Sequence, residues 1–453
     1  MKSYYLRPIA LLLFMLFMGE TAVYAQSPII FTDEYTENNF PDGLTFNVTA
    51  TAVEGDIVSA KLYYAVRNAV STSQQVIDVE PANQVELRYE WDISDTTMPP
   101  STAVFYHWEV VDSAGNRIKS EEQVVYYDDT RYEWDVFEDE NIAVWQHDRP
   151  KQLGQSVFAI AQRAIAEQKD VFQTDLEYQI RIIIYNDFDE FADWHAYVNE
   201  FIGGQAFPAQ GITAQIVGSD GSTDRWLNDV IPHEISHLYF YQVSTHPLSQ
   251  PPTWLNEGVA QYNEFTSNQY ALDAVRERAG TGDLVRLYAL SGNFGNDAEQ
   301  VYLSYAESLS AVTYLIETYG AEGLKNLLAA YKEGKSNDEA LMVGLGVDII
   351  QFEQGWLDWL GAPKGLYPTP TAVPTHVPVP TAAMMMPPTR KPTATATTEA
   401  MATIAPTETI APTATAQATQ TATPVPQTAN NGICATAALP LLAVGLIWKR
   451  KTG

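Results

Sequence analysis

Two short runs carry side chains that could hold a metal ion: His233-Glu234-Ile235-Ser236-His237 and Trp254-Leu255-Asn256-Glu257-Gly258. Residues four apart on a helix share a face. His233 and His237 can therefore aim two imidazoles at one ion. Glu234 lies one step round, beside the open coordination position. A catalytic zinc takes three protein ligands and leaves a fourth position for water. Glu257, in the second run, is the natural third ligand. Such an ion acidifies water, and a carboxylate placed like Glu234 can accept the proton as water attacks a carbonyl. The bland alternative is an amphipathic helix with two satisfied histidines. The second run, opening another helix at a suitable distance, argues against it.

The elements that must place these side chains can be read around them. Residues 222–241 read as the helix carrying both histidines, with Ile235, Leu238 and Phe240 as core positions behind the metal. Pro232 directly precedes His233, so the helix either starts there or bends there. Residues 244–252 form a proline-containing loop that holds His246, which reads more readily as a surface residue than as a cleft residue. Asn256 precedes Glu257 and could orient a ligand by hydrogen bonding.

HEISH followed by WLNEGVAQY resembles the gluzincin metallopeptidases, and most of all the peptidase MA-like family, over residues 140–360. The resemblance implies Zn2+ bound by His233, His237 and Glu257, with Glu234 as general base in peptide-bond hydrolysis. It also implies an α+β thermolysin-like fold whose helical C-terminal lobe closes the cleft. A tyrosine ahead of a helix ending in Tyr-Gly matches Tyr305, with Tyr319-Gly320 at the end, so Tyr305 becomes the candidate for stabilising the oxyanion. Tyr302 is a weaker rival. In that family the strand before the metal helix is a sheet edge that pairs with substrate. Residues 211–217 take that place here, and peptide would add there as a further strand.

The rest of the chain supplies the setting. It has 453 residues and a net charge of −30. Residues 26–363 hold 53 Asp and Glu against 18 Lys and Arg, which speaks against a nucleic-acid partner or an anionic membrane surface. A single cysteine, Cys434, excludes an intramolecular disulfide. Residues 1–25 read as a signal peptide: Lys2 and Arg7, an apolar run over 9–18, then Val23-Tyr24-Ala25 as cleavage site. Residues 26–130 read as an all-β sandwich, resembling immunoglobulin or fibronectin-III modules. Leu44, Phe46 and Val48, then Val85, Leu87, Tyr89 and Trp91, then Val104, Tyr106, Trp108 and Val110 alternate with their neighbours. Residues 128–140 form an acidic connector that reads as solvated.

The domain carrying the site is expected over residues 131–363. Residues 151–169 and 187–199 read as helices, the second capped by Asp187, and 180–185 as a buried strand. His195 reads as structural. Helices follow from 268 to 360, with Gly320 as a stop. Residues 364–430 are a Thr/Pro/Ala stalk that cannot bury a core. Residues 431–453 hold an apolar run ending in Lys449-Arg450-Lys451, which resembles bacterial sorting signals or a simple membrane anchor. The expected whole is a secreted, envelope-tethered bacterial enzyme acting on peptides or proteins. A surface binding or adhesion protein with a silent metal site is the rival.

Overall fold

The computed structural model describes residues 27–195, 202–218, 224–266, 268–292, 294, 297–367 and 435–437. The segments read as signal peptide, as stalk (apart from 364–367) and as C-terminal anchor (apart from 435–437) lie outside them; Tyr367, read as stalk, instead packs on the helical core. Among the described residues no helix is long and apolar enough to cross a membrane.

The N-terminal part is two antiparallel sheets face to face. One is β1 (Ile29–Asn39), β2 (Gly43–Ala52) and β5 (Gln84–Asp92), in the order β1-β2-β5. The other contains β3 (Ile57–Val66), β4 (Ser73–Ile77), β6 (Thr102–Asp112) and β7 (Arg117–Lys119), in the order β4-β3-β6-β7, with β8 (Gln123–Tyr127) also paired to β6. The alternating residues do what period two requires. Leu44, Phe46 and Val48 from one sheet meet Leu62, Tyr106, Trp108 and Val110 from the other in one buried cluster.

A mixed sheet follows. Its strands are β9 (Asp135–Glu138), β10 (Ile142–Gln146), β11 (Ile180–Tyr185), β12 (Ile202–Phe207) and β13 (Ile212–Ile216). β10, β11 and β13 run parallel, whereas β9 and β12 are antiparallel to their neighbours. A short strand β14 (Ala435–Ala437) pairs antiparallel along the outer side of β12, giving the order β14-β12-β13-β11-β10-β9. Residues 211–217 are therefore not the edge: β13 is flanked by β11 and β12. The run Gly203-Gly204 hides β12 in the sequence, since glycines erase the side-chain alternation that marks a strand.

β11 is apolar except at Arg181, because both faces are covered. Ile182 and Ile184 face helices α1 (Lys151–Phe172) and α3 (Asp224–Ser244). Ile183 and Tyr185 turn the other way and join the core of the N-terminal sandwich, together with Ile212 and Ala214. The sandwich is thus packed on the back of this sheet. The acidic connector is solvated only in part: Glu133, Glu138 and Glu140 are exposed, whereas Asp129 belongs to that seam. Asp129, its side chain only 1% exposed, pairs with Arg131 at 2.8 Å and accepts from the Tyr185 hydroxyl at 2.9 Å. Tyr132 stacks on His147 at 3.9 Å between ring centres.

Asp187 caps the short helix α2 (Phe188–Ala192) through the Glu190 amide at 3.0 Å. Residues 196–199 lie outside the described residues. His195 is buried and meets Gln205 of β12 at 2.8 Å, a structural position. The remaining helices are α4 (Thr253–Tyr262), α5 (Gln269–Thr281), α6 (Ala298–Lys332), α7 (Asn337–Leu345) and α8 (Ile349–Leu360). The backbone breaks within α6 at Gly320, whose φ of 71° glycine tolerates.

One core group of this helical part titrates far from its usual range. Glu307 on α6 is fully buried, and its Oε2 accepts from the Val285 amide at 3.0 Å. Burial pushes its carboxyl from 4.5 up to about 8, against the smaller opposing pulls of that amide and Arg278. The folded value is raised, so the folded chain holds a proton that the unfolded chain releases. The associated stability is complete below the unfolded value and is lost as pH rises through the folded one. Glu307→Gln keeps the acceptor without the charge. Thermal midpoints measured from pH 4.5 to 8 should therefore fall less steeply in the variant; parallel curves would contradict this assignment.

Candidate metal centre

α3 runs unbroken through Pro232. An interior proline costs a helix about 3 kcal/mol, because it removes an N–H and crowds the preceding turn. Packing holds the helix in place. Ile235, Leu238 and Tyr239 are fully buried, Tyr239 stacks on Phe172 of α1 at 5.1 Å, and Gln168 of α1 donates to the Pro232 carbonyl at 2.6 Å. With α3 fixed, His233 and His237 project from one face, their ring centres 5.0 Å apart.

α4 brings the third group. Trp254 and Leu255 anchor it in the core. Gly258 lets it lie against α6: a Cβ there would come 2.4 Å from the Ser308 carbonyl oxygen and 2.7 Å from Val312. Glycine is required by that approach, which sets the depth of its neighbour Glu257. The outcome is a buried convergence of His233, His237 and Glu257, whose ligand atoms lie within 4.8 Å of one another.

The donor set fits a divalent metal such as zinc. Glu257 Oε2 is 3.5 Å from His233 Nε2 and 3.7 Å from His237 Nε2. These gaps are long for hydrogen bonds. They lie at or just above the spacing of about 3.3–3.5 Å between ligands that each sit about 2.0–2.1 Å from one tetrahedral zinc. Both Nε2 atoms are buried without a hydrogen-bond partner, a costly condition that a metal would relieve.

The other ring nitrogens are held. His237 Nδ1 donates to Asn256 Oδ1 at 3.0 Å, the orienting contact anticipated from the sequence. His233 Nδ1 donates to Glu264 Oε1 at 2.9 Å. Both bonds leave Nε2 as the face offered to an ion. Burial works against charging His233, but Glu257 and Glu264 outweigh it and hold the imidazole up at about 10. Metal binding must then displace a proton and should tighten as pH rises. Burial, followed by the Glu264 carboxylate, pushes nearby Asp229 up to about 6.

Glu264 was missed in the sequence. It lies beyond the end of α4, seven residues after Glu257, and no local pattern ties it to His233. Its other oxygen accepts from Asn268 at 3.2 Å.

Glu234 is completely buried on α3 beside the ligands. Tyr305 is half-buried on α6, edge-on to Phe294 at 5.2 Å. It stands one turn before Ser308, the residue against which Gly258 packs. Tyr302, also half-buried, lies a further turn back. His246 is not part of the centre: it accepts from the Leu248 amide at 3.1 Å and lies over Gly334.

Residues 160–362 match the family model described as Peptidase MA superfamily, a region that contains every residue of this centre. No curated protein matches the chain. Among solved structures, the chain is similar to an aminopeptidase N family protein from Idiomarina loihiensis. That match has 10% identity and a TM-score of 0.32, covering 69% of this chain and 73% of the other. A purple acid phosphatase from yellow lupin seeds matches at 9% identity and a TM-score of 0.18, over 43% and 36% of the two chains. A polysaccharide deacetylase from Bacillus cereus matches at 7% identity and 0.17, over 46% and 66%. Likenesses this loose add nothing to the fold read from its own strands and helices. The family match and the three-residue metal site together support a peptidase.

Proposed function

We propose that this chain is a zinc-dependent peptidase of gluzincin type. The observation that carries the reading is the buried convergence of two unpartnered imidazole Nε2 atoms on the Glu257 carboxylate. His233, His237 and Glu257 hold the ion. Zinc bound there supplies a Lewis acid that polarises the scissile carbonyl and acidifies water. Glu234 accepts the proton of the attacking water and passes it to the departing amine. Its burial beside the ligands supports that role, since a buried carboxylate meets little competing solvent. Asn256 and Glu264 keep the two imidazoles in the tautomer that presents Nε2. Tyr305 stabilises the oxyanion, a role that rests on its match to the family pattern and its place on α6.

Substrate main chain adds along β12, beside α3. Support comes from the pairing of Ala435–Ala437 there, which places extended antiparallel backbone along its outer side. Main-chain recognition of this kind gives affinity with little sequence preference. The terminal segments are consistent with secretion and tethering at the cell envelope.

The test is cleavage of a mixed peptide library by the purified chain, with zinc stoichiometry measured alongside. Cutting should stop on addition of a chelator and return with zinc. A folded protein that binds no zinc and cuts no peptide would end the catalytic reading.

A further inference from the structure

We propose that Pro232 is a positioning residue of the metal centre: the N–H it lacks frees the Asn228 carbonyl to dock the segment that brings Glu264 to His233. This rests on the metal-binding reading above. In an uninterrupted helix the amide of residue 232 would bond the carbonyl of residue 228. Proline cannot donate. The Asn228 carbonyl instead accepts from the Phe265 amide at 3.0 Å.

Besides the His233–Glu264 contact, that bond is one of three that tie residues 263–266 to α3. Asn263 Nδ2 donates to Ser236 Oγ at 2.9 Å on one side. The Thr266 amide donates to Asp229 Oδ1 at 3.2 Å on the other. Glu264 lies inside this clamp, and its carboxylate accepts a hydrogen bond from His233 Nδ1 at 2.9 Å. The proline thus turns an intrahelical acceptor into a tertiary one, one residue before the first ligand. An interior proline is unfavourable for α3 taken alone. Its position makes sense if the gap serves the neighbouring segment.

Pro232→Ala restores the N–H, which then competes for the Asn228 carbonyl. The free chain should become no less stable, since alanine favours the helix. Its zinc affinity should fall all the same, by about 10–100-fold, the usual consequence of releasing a group that orients a ligand. The Phe265 amide should exchange faster with solvent. Glu264→Gln should weaken zinc similarly, and the double variant should lose little more than either single one, because both act through the same contact.

The experiment measures zinc affinity by chelator competition, the thermal midpoint without metal, and exchange at Phe265, all on the full chain. Weaker zinc with an unchanged or raised midpoint and a faster Phe265 amide is the expected result. Unchanged affinity, or a lower midpoint with lost helix, overturns the proposal. If the parent protein binds no zinc, the metal reading itself has failed. Exchange at Phe265 then decides the docking alone: an amide as protected in Pro232→Ala as in the parent overturns it.

Discussion

Replacing Glu234 with glutamine is expected to leave zinc bound and to lower kcat by about 10²–10⁴-fold, the range for losing a positioned general base. Glutamine matches glutamate in size and can occupy the same fully buried position on α3. It cannot take a proton. The three proposed ligands and their hydrogen bonds to Asn256 and Glu264 are untouched by the change. KM should therefore move little and zinc stoichiometry not at all. The measurement is steady-state cleavage of the best peptide from the library, with metal content determined on the same sample. Retained activity would remove Glu234 from the mechanism. Lost zinc would give it a structural role. The same comparison separates the enzyme from a binding protein with a silent metal site: in that case the parent chain would already be inactive, and the substitution would change nothing.

Much of the centre is visible in the sequence because helix geometry alone brings His233 and His237 to one face. Glu257 is legible from the run Trp254–Gly258, which opens a second helix at a suitable distance from the histidines. Glu264 is not legible. It reaches His233 only because residues 263–266 dock on α3, and one of the bonds that docks them depends on a hydrogen bond that Pro232 fails to make. Locally Pro232 reads as the start or bend of one helix, while its consequence lies on another segment. The edge strand was misplaced for a different reason. β13 shows a clear apolar strand pattern, whereas β12 contains Gly203-Gly204 and shows none. Period-two reasoning therefore finds the inner strand and passes over the outer one. Composition misled at one residue of the acidic connector. A run of carboxylates is usually solvated, yet Asp129 is matched by Arg131 and the Tyr185 hydroxyl and lies under the sandwich. Which face of β11 meets the sandwich and which meets the helices is likewise a tertiary fact, hard to read in a strand that carries isoleucine on both sides.

Glu257→Ala is expected to weaken zinc by more than the about 10–100-fold that follows loss of an orienting partner, because it removes the only negative charge proposed to touch the ion. Glu257 is 3% exposed and faces both imidazole Nε2 atoms. Among the described residues, His233, His237 and Glu257 form the one group whose ligand atoms converge, and Glu234 is assigned to the water beside the ion rather than to the ion. Glu264 cannot easily substitute, since it lies on the Nδ1 side of His233. Two neutral imidazoles would remain as ligands, with no carboxylate in direct contact with the buried divalent cation, and such a site binds weakly. Cleavage should vanish with the metal and return only in part at high zinc. Chelator competition on the parent chain, Glu257→Ala and Glu264→Gln gives the decisive ordering. If Glu257 is a ligand, its variant must be the weakest of the three. If the Glu264 variant loses more, the carboxylate at 264 has a larger part in the site than orientation. If Glu257→Ala binds zinc as the parent does, the third ligand has been assigned to the wrong residue.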